Sequence, residues 1–300
     1  MRRPPAGGSA PGHARNRIDR FVLWTVGPGL FYLVVLFLAP MAIVLAFSFS
    51  SPSAAGGPAG PPTLDAYRRA FDPLYLSVLG HSALLALVTT ALCLAVSFPA
   101  AWAIRAAPPR ARALLLALMV IPSWVNLLVK NYAWIVILRR QGVLNTLLGS
   151  LGITEEPLPL LFNDGAVVAG LVHTYLPFML LPLYVALDRM DWRLVEAARD
   201  LSAGAWQTFR RVVLPQTLGG VVVGCTLVFV PALGAFVTPD FLGGPRSLMV
   251  GTLIENQLLQ VRDWPFASAL SMTLMALVLA ALALSRRWLA GPTDGAEVGR

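Results

Sequence analysis

The sequence predicts an all-α polytopic membrane protein, with about six transmembrane helices and one polar helical hairpin on the cytoplasmic side. Three observations predict it. Hydrophobic residues make up 57% of the 300-residue chain and charged residues only 13%, with a mean hydropathy of +0.69. Soluble domains are about 45–50% apolar and about 25% charged. The apolar residues fall in runs of ~20, the length that crosses a bilayer core as a helix. Lys and Arg, finally, are shared unevenly between alternate loops.

Residues 1–20 (MRRPPAGGSAPGHARNRIDR) read as a disordered basic cytoplasmic tail, rich in Pro, Gly and Arg. A transmembrane domain over 21–290 and a second cytoplasmic tail over 291–300 complete the chain. Candidate spans lie at 24–48, 78–104, 113–136, 166–187, 217–239 and 266–285. The first run is longer than the about 7–15 apolar residues of a signal peptide, so it is retained although SPSAAGG imitates a cleavage site. Residues 49–63, rich in Pro and Gly, read as a flexible outer linker. The third run carries Asn126, Lys130 and Asn131 in its second half. It either crosses or ends near Leu128, leaving NYAWIVIL at the outer interface. Residues 141–162 are too short and broken to span, and read as a re-entrant or interfacial helix followed by a loop.

Orientation follows from the loop charges. With the N-terminus inside, the inner segments 1–20, 105–112, 188–215 and 286–300 hold five, three, five and three Lys or Arg. The outer segments 49–77, 130–165 and 240–263 hold two, three and two. Both termini are therefore expected in the cytoplasm. The net charge of +8 is a topology signal spread over four inner segments, and no nucleic-acid partner is expected.

The polar hairpin is VEAARDLSAGAWQTFRRVVLPQT, residues 195–217, set between two apolar runs. Asp191 can cap a helix starting at Trp192. On it Val195, Ala198 and Leu201 share one face, while Arg193, Glu196, Arg199 and Asp200 line the others. After Ser202-Ala203-Gly204 the period restarts with Trp206, Phe209 and Val213, opposed by Gln207, Arg210 and Arg211. Pro215 is expected to stop the helix or bend it into the fifth span. Ala197 and Ala198 lack bulk, so another backbone can approach closely. Read from composition alone, the same stretch is an amphipathic loop resting on lipid headgroups.

Its residue order resembles the signature of ABC-importer permease subunits. That signature runs Glu-Ala-Ala, three residues, Gly, nine residues, an aliphatic, one residue, Leu-Pro. Here it is Glu196-Ala197-Ala198, then Ser202 at the glycine position, Val212, and Leu214-Pro215. Serine enters a left-handed turn less readily than glycine, and Gly204 stands close enough to take the bend instead. Further segments are similar to spermidine/putrescine-type permeases, and more narrowly to the first of that system's two permease subunits. They are TLDAYRRAFDPLYLSVLGHS, PSWVNLLVKNYAWIVILRRQGVLN, EEPLPLLFN and FVTPDFLGGPRSLMVGTLIENQ. The resemblance implies the type I importer permease fold, a permease core over 78–285, and a coupling helix within a hairpin at 191–215. It also implies a bacterial inner-membrane location.

No P-loop is present, and Lys130 is the sole lysine. ATP and Mg are therefore expected on partner subunits, with no cofactor bound by this chain. The resemblance implies two ATP-binding subunits, a second homologous permease (or a second copy of this one) and an extracytoplasmic solute-binding protein. The transported solute is then a polyamine, with another small solute or ferric iron as alternatives, moved by alternating access. An ion-gradient-driven transporter would call for an inverted repeat or paired broken spans with buried carboxylates. Neither is visible. A membrane enzyme would call for a catalytic cluster; HExxH and GxSxG are absent, so no catalytic residue is assigned. Cys93 and Cys225 sit singly in apolar runs and suggest no metal site.

Ionisable and aromatic groups at membrane depth supply the path candidates. Asp240 and Glu255 can attract a cationic solute near the outer mouth, and Tyr132, Trp134 and Tyr175 can offer ring faces to an ammonium group. Interface aromatics also serve as an anchoring belt. His81 and His173 read as hydrogen-bonded packing residues, and Lys130 as snorkelling to the outer interface. Pro99, Pro122, Pro177, Pro182 and Pro231 supply either kinks or packing.

Overall fold

A computed structural model describes residues 12–53, 57–245 and 247–289. The expected tail over 291–300, and residues 1–11 of the expected N-terminal tail, lie outside them. Helix α1 (Gly12–Ser48) starts well before the first apolar run. Every Pro and Gly of the first twenty residues lies at or before Gly12, and HARNRIDR contains nothing that breaks a helix.

Among the described residues, five helices are long and apolar enough to cross a membrane. They are α1, α3 (Pro73–Ala106), α7 (Asp164–Arg189), α10 (Leu214–Leu233) with the turns leading into it, and α13 (Trp264–Leu289). The expected third span is broken. Helix α4 (Pro109–Val120) and a 3-10 turn at Ile121–Trp124 meet α5 (Leu127–Leu138) and α6 (Val143–Ser150) at 94°. Pro122 lies in that turn, and Asn126 restarts the helix by accepting from Leu128 N at 2.8 Å. Of the two readings of this run, the one ending it early is closer. The helix-then-loop reading of 141–162 matches α6 and the irregular stretch over 151–163. Asn145, buried in α6, donates to the carbonyls of Arg139 and Leu158 and accepts from Leu158 N, pinning the loop beneath it.

The outer linker is not featureless. Its described parts pair as a short antiparallel ladder, β1 (Ser51–Pro52) with β2 (Pro58–Ala59). Helix α2 (Asp65–Ala70) then packs on the start of α13 through Ala66, Ala70 and Phe266.

Helices α3, α7 and α10 form the heart of the bundle, around Cys93, Ala101, Met179, Leu183, Leu187 and Val228. Small residues set their spacing. A Cβ added at Gly220 would lie 2.5 Å from Ala186 Cβ, and one at Gly224 2.7 Å from Met179 Sδ. Helix α1, by contrast, packs mainly on α13 and leaves Phe31 and Phe37 exposed as a lipid-facing helix would. Pro99, Pro177, Pro182 and Pro231 all lie inside helices that continue past them. Beyond α10 the chain makes α11 (Val237–Leu242) and α12 (Val250–Leu259), two short helices at the end of the bundle opposite the hairpin.

Candidate functional site

The hairpin is built in four local steps. Asp191 Oδ1 accepts from Arg193 N at 3.0 Å and starts α8 (Arg193–Asp200). Val195 points inward and is buried, while Glu196, Ala197, Arg199 and Asp200 are exposed and Ala198 is half-buried. At the end of α8, Ala203 N donates to Ala198 O at 3.0 Å and Ser202 N to Arg199 O at 2.8 Å. This pair of bonds requires a left-handed residue between them. Ser202 supplies it, with φ 60°, whereas Gly204 is extended at φ −64°, ψ 159°. The bend therefore falls on the serine, not on the neighbouring glycine. A glycine motif that needs the fourth position left-handed keeps its geometry here at a cost in strain.

Helix α9 (Ala205–Thr208) and a π-helical turn at Phe209–Val213 then lead into α10 without interruption. Of the two expectations for Pro215, a stop or a bend into the fifth span, the stop does not occur, and the helix runs on through it. The wider π turn just before Leu214 and Pro215 gives room for a residue with no N–H to donate. Two apolar side chains of these stripes point outward, away from Val195 and Val213, which are buried. Leu201 is 83% exposed because α8 ends at Asp200 and the chain turns, and Trp206 is 71% exposed, stacked on Phe209 with centroids 5.6 Å apart. Phe209 meets Phe98 of α3 edge-on at 5.3 Å, and Val213 is buried. Between hairpin and α3 lies a cavity of about 460 Å³ lined by Phe98, Trp102, Val195 and Val213. The hairpin thus presents a charged, small-residue ridge flanked by Leu201 and Trp206, on a base fixed by rings.

At the opposite mouth the path candidates are scattered. Asp240 of α11 is exposed. It lines a cavity of about 300 Å³ with Ser247, Thr252 and Asn256. Glu255, half-buried on α12, is not part of that wall. Tyr132 stands edge-on to Phe241 at 5.3 Å. Trp134 Nε1 donates to His173 Nδ1 at 3.2 Å, and Tyr175 Oη donates to Pro231 O at 3.3 Å. The last two rings are thus tied into helix packing, and His173 has the hydrogen-bonded place expected of it.

Two polar groupings join partners that no local pattern pairs, although His81 has the hydrogen-bonded place expected of it. His81 Nε2 lies 3.0 Å from Asp164 Oδ2, and Ser247 Oγ donates to Asp164 Oδ1 at 2.5 Å. Ser82 Oγ accepts from Val250 N at 2.8 Å. Together they clamp the starts of α3 and α7 to the loop before α12. The second grouping, Arg105, Arg112 and Asp188, lies beside the hairpin. In both cases the partners lie more than 75 residues apart in sequence, so no local pattern announces them.

A family model described as "Binding-protein-dependent transport system inner membrane component" matches residues 14–291. The chain belongs to this family. The spermidine/putrescine transport system permease protein PotB of Escherichia coli K12 is 41% identical over 243 residues, covering 81% of this chain and 88% of that one. The protein of the same name from Haemophilus influenzae is 41% identical over 260 residues, 87% and 91% of the two chains. In fold, the permease is similar to a bacterial alginate ABC transporter solved in complex with an alginate pentasaccharide-bound periplasmic protein. That likeness has a TM-score of 0.71 at 17% identity, covering 91% of this chain and 96% of that one. The permease is accordingly a multi-pass, membrane-spanning subunit of a binding-protein-dependent ABC importer, a transport component.

Proposed function

We propose that this permease forms half of the translocation path for a polyamine, spermidine or putrescine. The observation that carries the proposal is the 41% identity, along most of both chains, to proteins named for that transport. The exposed Asp240 carboxylate, on the wall of a polar cavity at the mouth, supports a cationic solute. The ridge Glu196-Ala197-Ala198-Arg199-Asp200, the turn at Ser202 and Gly204, and Leu214-Pro215 form the contact with an ATPase subunit. Two such subunits carry ATP and Mg and perform the hydrolysis. Their closure pushes the hairpins of this chain and of a second permease, and the bundle alternates between inward and outward access. A solute-binding protein docks at the α11–α12 mouth. The distribution of Lys and Arg supports a bacterial inner-membrane topology with both termini in the cytoplasm.

The test is to purify the cognate binding protein, identify its ligand, and measure uptake of that ligand by the assembled transporter. Labelled spermidine should be imported and unlabelled putrescine should compete. Import of an oxyanion or of ferric iron, with no spermidine uptake, would overturn the substrate assignment.

A further inference from the structure

Beside the hairpin, two consecutive pairs of elements, α3 with α4 and α7 with the start of the hairpin, meet at Asp188 in the last turn of α7. Its Oδ1 lies 2.8 Å from Arg105 Nε at the end of α3 and 3.5 Å from Arg112 Nη1 in the first turn of α4. Arg112 also donates through Nη2 to the carbonyls of Arg105 at 2.9 Å and Ala107 at 3.4 Å. It thereby occupies acceptors that the C-terminus of a helix leaves free. The Arg105 guanidinium lies over the Trp192 ring, 5.5 Å from its centroid. Trp192 stands edge-on to Trp102 of α3 at 5.1 Å and donates Nε1 to Leu187 O at 3.3 Å. It is also the residue immediately before α8.

The polypeptide joins the hairpin directly to α7 and α10 only. A push on α8 can reach α3 and α4 through side chains alone, and α4 begins the span that is broken at 94°. We propose that Asp188, with Arg105 and Arg112, is a latch that carries movement of the hairpin to α3 and α4. Asp188 is a positioning residue, acting through Arg105 on Trp192. The inference rests on the hairpin being the ATPase contact. Lone exposed ion pairs contribute little, but these side chains are 29%, 24% and 42% exposed for Arg105, Arg112 and Asp188. A ring fixes one guanidinium and two carbonyls fix the other, so the carboxylate joins groups already oriented. Such a network holds more than its separate pairs. Removing the negative charge leaves two cations facing each other at the α3–α4 corner.

The test uses the complete transporter in proteoliposomes: this chain, its cognate ATPase, the companion permease and the binding protein. Hydrolysis and uptake are measured in the same sample. Asp188→Asn, which keeps the shape and loses the charge, should lower solute imported per ATP hydrolysed about tenfold while hydrolysis persists. Asp188→Glu should restore it. An unchanged ratio in Asp188→Asn, or uptake and hydrolysis falling in equal proportion, overturns the latch. If Asp188→Asn does not insert, Arg112→Lys keeps the charge but loses the guanidinium fork, and is measured against the same two outcomes. Ala197→Trp runs alongside as a separate control. Should it leave uptake and ATPase co-purification intact, the hairpin reading fails whatever the latch does.

Discussion

The two ends of the bundle handle polarity in opposite ways. At the hairpin end, charges stand on the surface of α8 while rings (Trp102, Trp192, Phe98, Phe209) and the Arg105–Asp188–Arg112 group fix its base. At the mouth, the polar groups are mostly engaged in short hydrogen bonds that clamp loop to helix, through Ser82, Asp164 and Ser247, and Asp240 is left as an exposed carboxylate. A surface that takes a mechanical load needs a stiff base under an accessible ridge. A surface that admits a solute needs a wall held in place around a free charge. On the proposed function, the difference separates the end that receives work from the end that receives cargo.

The comparison is broken most severely at the ridge. Ala197→Trp or Glu196→Lys should abolish uptake while the protein remains inserted, because bulk or reversed charge on the exposed face of α8 blocks the partner's approach. Uptake together with ATPase co-purification checks this. A smaller effect is expected at the mouth. Asp240→Asn should lower polyamine uptake by about tenfold, the scale on which one sign of charge at a cleft concentrates a counter-ion. ATPase binding should be unaffected, so the two ends separate in one assay. The smallest effect sharpens the picture of the turn. Ser202→Gly removes a Cβ from a left-handed residue and should raise stability by about 1 kcal/mol with uptake retained, measured as a shift in thermal unfolding in detergent.

Much of this fold was legible because a bilayer leaves a chain few options. Apolar runs of sufficient length became α1, α3, α7, α10 and α13; α3, α7 and α13 keep close to their expected limits, whereas α1 starts at Gly12 and α10 ends at Leu233, short of the expected 239. The place of the hairpin's turn was legible to within two residues: the sequence leaves the bend to Ser202 or Gly204, and Ser202 takes it with a positive φ. Leu201 departs from the face that helical periodicity gives it with Val195 for a geometric reason: the helix has ended one residue earlier. Of the stop and the bend expected at Pro215, the stop fails because a π turn, which no residue pattern announces, absorbs its missing donor. The clamp at Asp164 and the latch at Asp188 were out of reach altogether. Each joins residues 76 or more positions apart, and only the packing of α3 on α7 brings them together.

The central claim is that this bundle does no work of its own and is driven through the hairpin by ATP hydrolysed elsewhere. Solute uptake into sealed vesicles, with this permease reconstituted alone and then with its ATPase, companion permease and binding protein, tests it most directly. Uptake against a gradient should appear only in the complete assembly and only with ATP inside the compartment that holds the ATPase. Uphill uptake by the permease alone, driven by a proton or sodium gradient, would contradict it.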